Sequence, residues 1–330
     1  MTWKLSPIPL LLLSSCAPYC DFKLPLQPGG PLPNWKLQLT QPPVLPLGGP
    51  NDFDSSDALN PSIIRRGPQL LNFYSGYDGK TWHTGLATST DGSSWVKKGK
   101  VLSPDPATWE GNYIAANGAA IERNGELFYY YQAGSPPQIG LAKSTDGLRW
   151  TKLESPVVPA GPYGSWDERG VADPYVIEVG GSLYLYFLGQ DRARRQRLGV
   201  AVSQDGLHWN KLIANPILEL GEQGAFDEIG LGEPAVWPAH GYYWMLYTGR
   251  GKGEVRRMGL AYSTDGVKWQ RLPASPFSGQ ADWNRQVVCD ATVLIEGATV
   301  RLWYGGGDRP LPAEGLNGQI GYGVLEVVSN

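Results

Sequence analysis

Five polar residues recur at the openings of similar short apolar segments, and they are the first candidates for chemistry in this 330-residue chain. They are Asn60, Asn117, Asp173, Glu233 and Asp290. Three of them are carboxylic acids, and carboxyl groups that converge on one pocket are costly unless they bind a cation, share protons or perform acid–base chemistry. The alternative is that they cap strands or bond neighbouring loops. The choice depends on whether the fold brings them together.

A repeated hairpin turn indicates the kind of fold that carries these residues. The pattern Ser-x-Asp-Gly, preceded by Gly-Leu-Ala or Gly-Val-Ala and followed by Trp, recurs about every 55 to 60 residues. Glycine supplies the positive φ that a tight hairpin turn requires, while the Ser and Asp side chains cap backbone donors. We therefore predict a structural role for the turn aspartates, which are Asp91, Asp146, Asp205 and Asp265.

An aromatic residue followed by a polar one precedes each of the five candidates. The pairs are Phe53-Asp54, Trp109-Glu110, Trp166-Asp167, Phe226-Asp227 and Trp283-Asn284. A short strand is predicted directly after each candidate, and an aromatic strand follows it. The predicted first strands are Pro61–Ile64, Gly118–Ile121, Pro174–Ile177, Pro234–Trp237 and Ala291–Ile295. Four short antiparallel strands in each of five radial units form an all-β, five-bladed propeller.

The N-terminal part of the predicted domain is expected to close this propeller. The fifth unit ends in a truncated copy, Gly321–Val324, without an outer strand of its own. The segment Trp35–Pro46 resembles the outer-strand sequence of the second unit, so we expect it to complete the last blade and remove an exposed edge. The 43 glycines and 28 prolines would interrupt long helices, which favours this interpretation. One domain is predicted, over residues 35–330, with equivalent inner-strand positions converging at one mouth.

The first residues of the chain are typical of an exported bacterial lipoprotein. Lys4 is followed by the apolar run Ile8–Leu13 and then by Leu-Ser-Ser-Cys, in which Cys16 is the predicted lipidation site. We predict a signal peptide over residues 1–16 and a proline-rich tether over residues 17–34. The protein would be exported and held at a membrane through its lipid alone. An ordinary signal peptide is the alternative.

The remaining cysteines and the channel carboxylates leave two questions open. Cys20 and Cys289 either pair in an oxidising compartment or remain free thiols, and their spacing favours neither. No cofactor or resident metal is predicted, although the channel leaves room for a structural Ca²⁺ ion.

The net charge and the positions of the arginines limit the kinds of ligand that we expect. The 28 basic and 31 acidic side chains give a net charge of −3, and a nucleic-acid binder would need a basic excess for phosphate contacts. Arg192, Arg250 and Arg309 follow the aromatic strands and are candidates for holding an anionic ligand in the planar guanidinium fork. A solvated rim of charges is the alternative. His83 is a further candidate near the same mouth, with a structural histidine as its alternative.

Two motifs carry a family resemblance. Val171-Ala172-Asp173-Pro174 and Gly232-Glu233-Pro234 resemble the motifs of the family 43 glycoside hydrolases and of their relatives in families 32, 62, 68 and 130. The resemblance extends over all five repeats and implies a propeller that acts on glycans. It implies that Glu233 is the general acid and that Asp173 tunes and orients it.

The same resemblance is incomplete at two positions. Asn60 occupies the place of the family 43 base, and Asn117 occupies the place of the catalytic aspartate of the family 130 mannoside phosphorylases, in which phosphate replaces water. The second working group is therefore Asp290 or Asp57. We prefer Asp290 because it is a ring position, whereas Asp57 lies on the loop that enters the mouth. Like-charge repulsion from Asp173 or Asp290 would keep a proton on Glu233.

Three functions remain open at this stage. The first is a cell-surface or periplasmic glycosidase that acts on plant or microbial glycans, or a phosphorylase-type relative of it. The second is a non-catalytic glycan-binding propeller, which Asn60 and Asn117 favour. The third is a sialidase-like enzyme, which is disfavoured because sialidase turns carry an extra residue between Asp and Gly. The expected partner is an oligosaccharide or polysaccharide, with an anionic one favoured by the arginines, and the chain is expected to be a monomer.

Overall fold

Strands dominate the structure, a computed structural model that describes residues 19–272, 276–297 and 299–328. Aromatic and β-branched residues fill segments that are separated by Gly-rich turns, which favours pleated strands over helices. One short 3₁₀ helix, Lys252–Glu254, occurs among the described residues. The predicted all-β class is confirmed.

The structure consists of two N-terminal strands and five blades. The N-terminal strands are β1 (Tyr19–Cys20) and β2 (Trp35–Leu39). Blade one contains β3 (Asp57–Arg66), β4 (Gln69–Tyr77), β5 (Trp82–Ser89) and β6 (Val96–Leu102). Blade two contains β7 (Ala115–Arg123), β8 (Glu126–Ala133), β9 (Gln138–Ser144) and β10 (Thr151–Lys152). Blade three contains β11 (Val171–Val179), β12 (Ser182–Gln190), β13 (Gln196–Ser203) and β14 (Asn210–Leu212). Blade four contains β15 (Gly230–Ala239), β16 (Tyr242–Arg250), β17 (Arg256–Ser263) and β18 (Gln270–Arg271). Blade five contains β19 (Val287–Glu296), β20 (Thr299–Gly307) and β21 (Gln319–Val327).

The first strands of the blades form a closed ring around the central channel. Each first strand contacts the first strand of the next blade, and β19 contacts β3 to close the circle. Within the blades all pairings are antiparallel. β2 pairs with β21 from Trp35↔Val327 to Leu39↔Gly323 and supplies the missing outer strand of blade five. The predicted propeller and its closure by the N-terminal strand are confirmed.

The predicted starts of the inner strands are wrong. Each inner strand begins several residues earlier, so the five polar candidates lie inside it rather than at its opening. At each of them the register with the second strand shifts, and the residue takes a left-handed backbone with φ between 46° and 56°. Such a bulge turns one side chain out of the regular alternation, here toward the axis. The polar residue looked like a strand boundary because the bulge interrupts the apolar pattern.

The repeated turns and aromatic–polar pairs hold each blade together. In the first turn, Ser89 Oγ accepts a hydrogen bond from Gly92 N–H at 2.7 Å, and Asp91 Oδ1 accepts from two following amides. In blades one to four, the acid after the aromatic residue is buried and bonded to the outer strand of its own blade. In blade one, Asp54 is 1 % exposed and accepts from the Tyr74 hydroxyl at 2.8 Å and from Lys97 at 2.6 Å. These aspartates therefore have structural partners.

The described part of the predicted tether, residues 19–34, packs against the propeller. β1 pairs in parallel with β14, and Leu24 is buried in the hydrophobic cluster between blades three and four. The Gln27 amide donates to the Thr264 carbonyl at 2.8 Å. This part of the tether packs on the propeller because its extended backbone finds partners in the turns of these blades. Cys16 and the signal peptide lie outside the described residues.

The two remaining cysteines are free thiols in the structure. Cys20 lies in β1 at the outer edge of blade three, whereas Cys289 is buried in the inner strand of blade five. Of the two alternatives, the structure therefore shows the free thiols. Among the residues that the structure describes, no helix is long and apolar enough to cross a membrane.

Candidate active site

The five polar candidates, Asn60, Asn117, Asp173, Glu233 and Asp290, form what we call the axial ring. They line one narrow cavity of about 30 Å³ between the inner strands. Non-glycine residues adopt left-handed backbone at some energetic cost, and such residues cluster at functional sites. The fold brings together all five residues that the repeat pattern singled out.

Glu233 and Asp290 are neighbouring carboxyl groups of the axial ring. One carboxylate oxygen of each and the Cys289 sulfur lie within 4.8 Å of one another. Burial, and then the charge of Glu233, raise the pKa of Asp290 well above its usual range. Asp290 therefore keeps its proton to a higher pH than an ordinary aspartic acid does. Asp290 is 5 % exposed, and its Oδ2 accepts from the Asn60 amide at 3.2 Å.

Asp173 is the second carboxyl group of the axial ring whose pKa is raised. Burial, and then the charge of Glu233, raise the pKa of Asp173 well above its usual range, while a hydrogen bond from Asn117 and the charge of Arg256 act in the opposite direction. Oε2 of Glu233 is buried and has no hydrogen-bond partner among the described residues. This oxygen is available to a ligand.

A pocket of about 280 Å³ lies directly above one side of the ring. Its floor contains Asn117, Asp173 and Glu233, and Asn60 and Asp290 lie outside its lining. Two positions that recur from blade to blade supply residues to the wall. One lies at the end of the second strand, and the other lies at or just before the start of the third strand. The second-strand residues are Gln132, Gln190 and Arg250, and the third-strand residues are Trp82, Pro137, Gln196 and Arg256. The propeller repeat thus builds the wall as well as the floor.

A segment between β20 and β21 covers the edge of the pocket. Pro312, Ala313 and Glu314 line it, and the Tyr113 hydroxyl of blade two donates to Glu314 at 2.9 Å. Asp57 anchors this segment from below, since its two oxygens accept from the amides of Gly315 at 2.6 Å and Gly318 at 2.8 Å. Burial raises the pKa of Asp57, although these hydrogen bonds oppose the shift.

Besides Asn60, Asp57 and Asp290, three more of the residues proposed from sequence lie outside the pocket lining. Arg192 pairs with Glu168 at 2.8 Å and stacks on Tyr163, in a separate surface cleft. Arg309 is exposed beside Asp308. His83 is buried and its Nδ1 is 2.9 Å from the Ser103 hydroxyl, while burial lowers its pKa. Arg250 is the one predicted arginine that lines the pocket.

Sequence reasoning gave too little weight to the residues that open the third strands. Arg256 and Gln196 are the first residues of β17 and β13, and both line the pocket. The available signal was their position a fixed distance before the Gly-Leu-Ala or Gly-Val-Ala segment of the repeat.

The donor set around Glu233 suits Ca²⁺ poorly. Glu233, Cys289 and Asp290 are close enough to share an ion, yet a thiol is a poor ligand for Ca²⁺, which takes about six to eight oxygen ligands. We therefore assign no Ca²⁺ ion to them.

Comparison with known proteins places this geometry in context. Residues 135–289 match the sequence model of the glycosyl hydrolases family 32 N-terminal domain. Rv1502, an uncharacterized protein of Mycobacterium tuberculosis, is 25% identical over 236 residues, which covers 66% of this chain and 76% of that protein. The solved structure of BT0996, described as an RGII complex, is similar with a TM-score of 0.70 at 17% identity, and the match covers 92% of both proteins.

A second solved structure is equally informative. Zg3597, a family 117 glycoside hydrolase produced by the marine bacterium Zobellia galactanivorans, matches with a TM-score of 0.67 at 18% identity, over 90% of this chain and 92% of that one. The chain has the propeller fold of the glycoside hydrolases.

Proposed function

We propose that this protein cleaves glycosidic bonds, with Glu233 as the general acid. The observation that carries the proposal is the position of Glu233, which lines the pocket beside Asp173 and has a carboxyl oxygen within 4.8 Å of one of Asp290. Cleavage of a glycosidic bond needs a proton donor at the leaving oxygen. Because Glu233 lines the pocket, a proton held by Asp290 can pass through Glu233 to a bound sugar.

The other two carboxyl groups support this donor in different ways. Asp290 lies outside the pocket lining, next to Glu233, and keeps the proton that Glu233 passes to the sugar. Asp173 lines the pocket, where its oxygens can orient the sugar. Asp57 has both oxygens bonded to backbone amides, which disfavours it as the second working group.

The lining of the pocket favours an oligosaccharide or polysaccharide as substrate. Gln132, Gln190 and Gln196 offer amide donors and acceptors for sugar hydroxyls, and Trp82 and Tyr113 offer aromatic surface at the rim. With export and lipidation at Cys16, such an enzyme would act on glycans outside the cytoplasm. Loss of lipid labelling in a Cys16→Ser variant would support that location.

A glycan-binding protein without activity is the second candidate. Asn60 and Asn117 occupy ring positions at which a carboxylate could activate the attacking molecule, and an amide cannot accept that proton. Only a measurement of substrate turnover therefore distinguishes the enzyme from the glycan-binding protein.

The test is a hydrolysis screen of the full chain on aryl arabinosides, xylosides, galactosides, mannosides and sialosides, with and without phosphate. We expect turnover of at least one substrate, and a loss of about 10²-fold or more in Glu233→Gln with binding retained. Glu222→Gln, which changes an exposed carboxylate, is the matched control. Equal activity in Glu233→Gln and wild type would refute the assignment of the acid. Sugar binding without turnover would establish the second candidate.

A further inference from the structure

Arg256 is a buried cation without a carboxylate partner of its own. It opens β17, lines the pocket and is 7 % exposed. Its Nη2 donates to the Pro312 carbonyl at 3.0 Å, whereas its Nη1 is buried and lacks a hydrogen-bond partner among the described residues. A buried guanidinium group is costly unless its charge and its N–H groups are satisfied. This donor is therefore open to a ligand.

Arg250 places a second guanidinium group beside the first. Arg250 and Arg256 are directly opposite each other in the pairing of β16 with β17. Arg250 Nη1 donates to the same Pro312 carbonyl at 3.3 Å, and its Nε lies 3.3 Å from Glu254 Oε2. Burial first, and also the charge of Arg256, lower the pKa of Arg250. Two neighbouring cations that share one neutral acceptor would be stabilised by an anion.

The rest of the pocket limits the charge of that anion. Glu233 forms part of the floor and Glu314 part of the rim, so a doubly charged free phosphate would be repelled. A carboxylate carries one charge and matches the planar fork of a guanidinium group. The glutamines of the wall remain for the hydroxyls of the sugar that carries it.

We propose that Arg256 and Arg250 form a subsite for a carboxylate carried by the bound sugar, so that the pocket selects acidic sugars over neutral ones. The inference rests on the proposed function in that the pocket must accept a glycan. Arg256 would make the closer contact, because its partnerless Nη1 is free to donate.

The experiment is calorimetric titration of the full chain with galacturonate, glucuronate and N-acetylneuraminate, and with galactose and glucose as neutral counterparts. We expect at least one acidic sugar to bind tenfold or more tightly than the neutral sugars. Arg256→Gln should remove that preference, and Arg256→Lys should keep part of it. Arg195→Gln is the matched control, since Arg195 is exposed and pairs with Asp191 away from the pocket.

The outcomes separate this subsite from the proposed function. Equal affinity for acidic and neutral sugars would overturn the subsite and leave a glycan pocket in place. An Arg256-dependent preference without hydrolysis of any substrate would support the subsite and refute the enzyme. Binding of none of these sugars would also overturn the subsite. If Arg256→Gln does not fold, loss of the preference in Arg250→Gln with an unchanged melting temperature gives the same answer.

Discussion

Two groups of acidic residues in this propeller differ in whether a cation compensates their charge. The first group, which we call the blade acids, comprises Asp54, Glu110, Asp167 and Asp227. Each blade acid forms a salt bridge with a Lys or Arg of its own outer strand. The acids of the axial ring face one another instead, and among the described residues no Lys or Arg lies within salt-bridge distance of them. Paired acids build the blades, whereas unpaired acids are left available for protons and ligands.

Blade five shows that the pairing of blade acids is systematic. Its outer strand is β2, and Leu39 lies opposite Gly323 at the place where the other blades have Lys or Arg. The residue after the aromatic is correspondingly neutral, because Asn284 donates to the Tyr304 hydroxyl at 2.9 Å. Where the cation is missing, the acid is missing too. In the part of the chain that the structure describes, the acids of the axial ring lack a paired cation and so do not follow this rule, which indicates a functional role rather than a structural one.

The largest effect should come from removing the cation of a blade acid. Lys211 and Asp167 are both almost fully buried, so Lys211→Met leaves an uncompensated charge in the core of blade three. We expect a loss of about 3–5 kcal/mol in the free energy of unfolding, measured by urea denaturation. The matched control is Lys143→Met, whose partner Glu126 is partly exposed, with an expected loss of about 0–1 kcal/mol.

A second substitution restores the balance if this explanation holds. Adding Asp167→Asn to Lys211→Met removes the orphaned charge and should recover part of the lost stability. No recovery in the double variant would mean that the lysine acts through packing, since its ammonium group also lies 5.5 Å from the Phe187 ring centroid.

A smaller effect is expected from introducing an acid into blade five. Asn284→Asp buries a carboxylate in the blade that has Leu39 in place of the cation, and we expect the free energy of unfolding to fall by about 2–3 kcal/mol. Adding Leu39→Lys recreates the pair found in the other blades and should restore most of the loss. Leu37→Lys, on the same strand, serves as the control and should not. If Leu37→Lys restored stability as well as Leu39→Lys, the effect would come from added positive charge in general and not from a specific acid–cation pair.

The periodic features of the molecule could be predicted from its sequence. The hairpin turns and aromatic–polar pairs repeat at nearly constant spacing, and equivalent positions of a propeller must converge, so the axial ring followed directly. The inner-strand starts could not be predicted in the same way. The bulge places a polar residue such as Asp173 inside a strand, and there the alternation of side chains no longer indicates which residues belong to it.

The arginines show a second limit of sequence reasoning. Arg192 and Arg250 both lie at or just beyond the end of an aromatic second strand, and only their local partners distinguish them. Glu168 and Tyr163 hold Arg192 over a separate cleft, whereas Arg250 and Arg256 share the Pro312 carbonyl beside the pocket. Which long side chain reaches a site depends on contacts between loops, and the repeat pattern does not contain them.

The smallest effect has the opposite sign and concerns the ring. A raised pKa means that folded Asp173 keeps a proton that the unfolded chain releases above about pH 4, so stability falls as pH rises from there through the raised pKa. Asp173→Asn removes this titration and its repulsion with Glu233. We expect a gain of about 1 kcal/mol near pH 7 and a flatter dependence of unfolding free energy on pH.

Urea denaturation at several pH values measures this effect, with Asp227→Asn as the paired counterpart. Asp227→Asn leaves Arg271 without its carboxylate, so that variant should lose stability at the same pH at which Asp173→Asn gains it. Opposite signs for two buried aspartates of one fold are hard to explain unless one is compensated by a cation and the other is not. A loss of stability in both variants would make the ring acids structural, and the distinction between the two groups would fail.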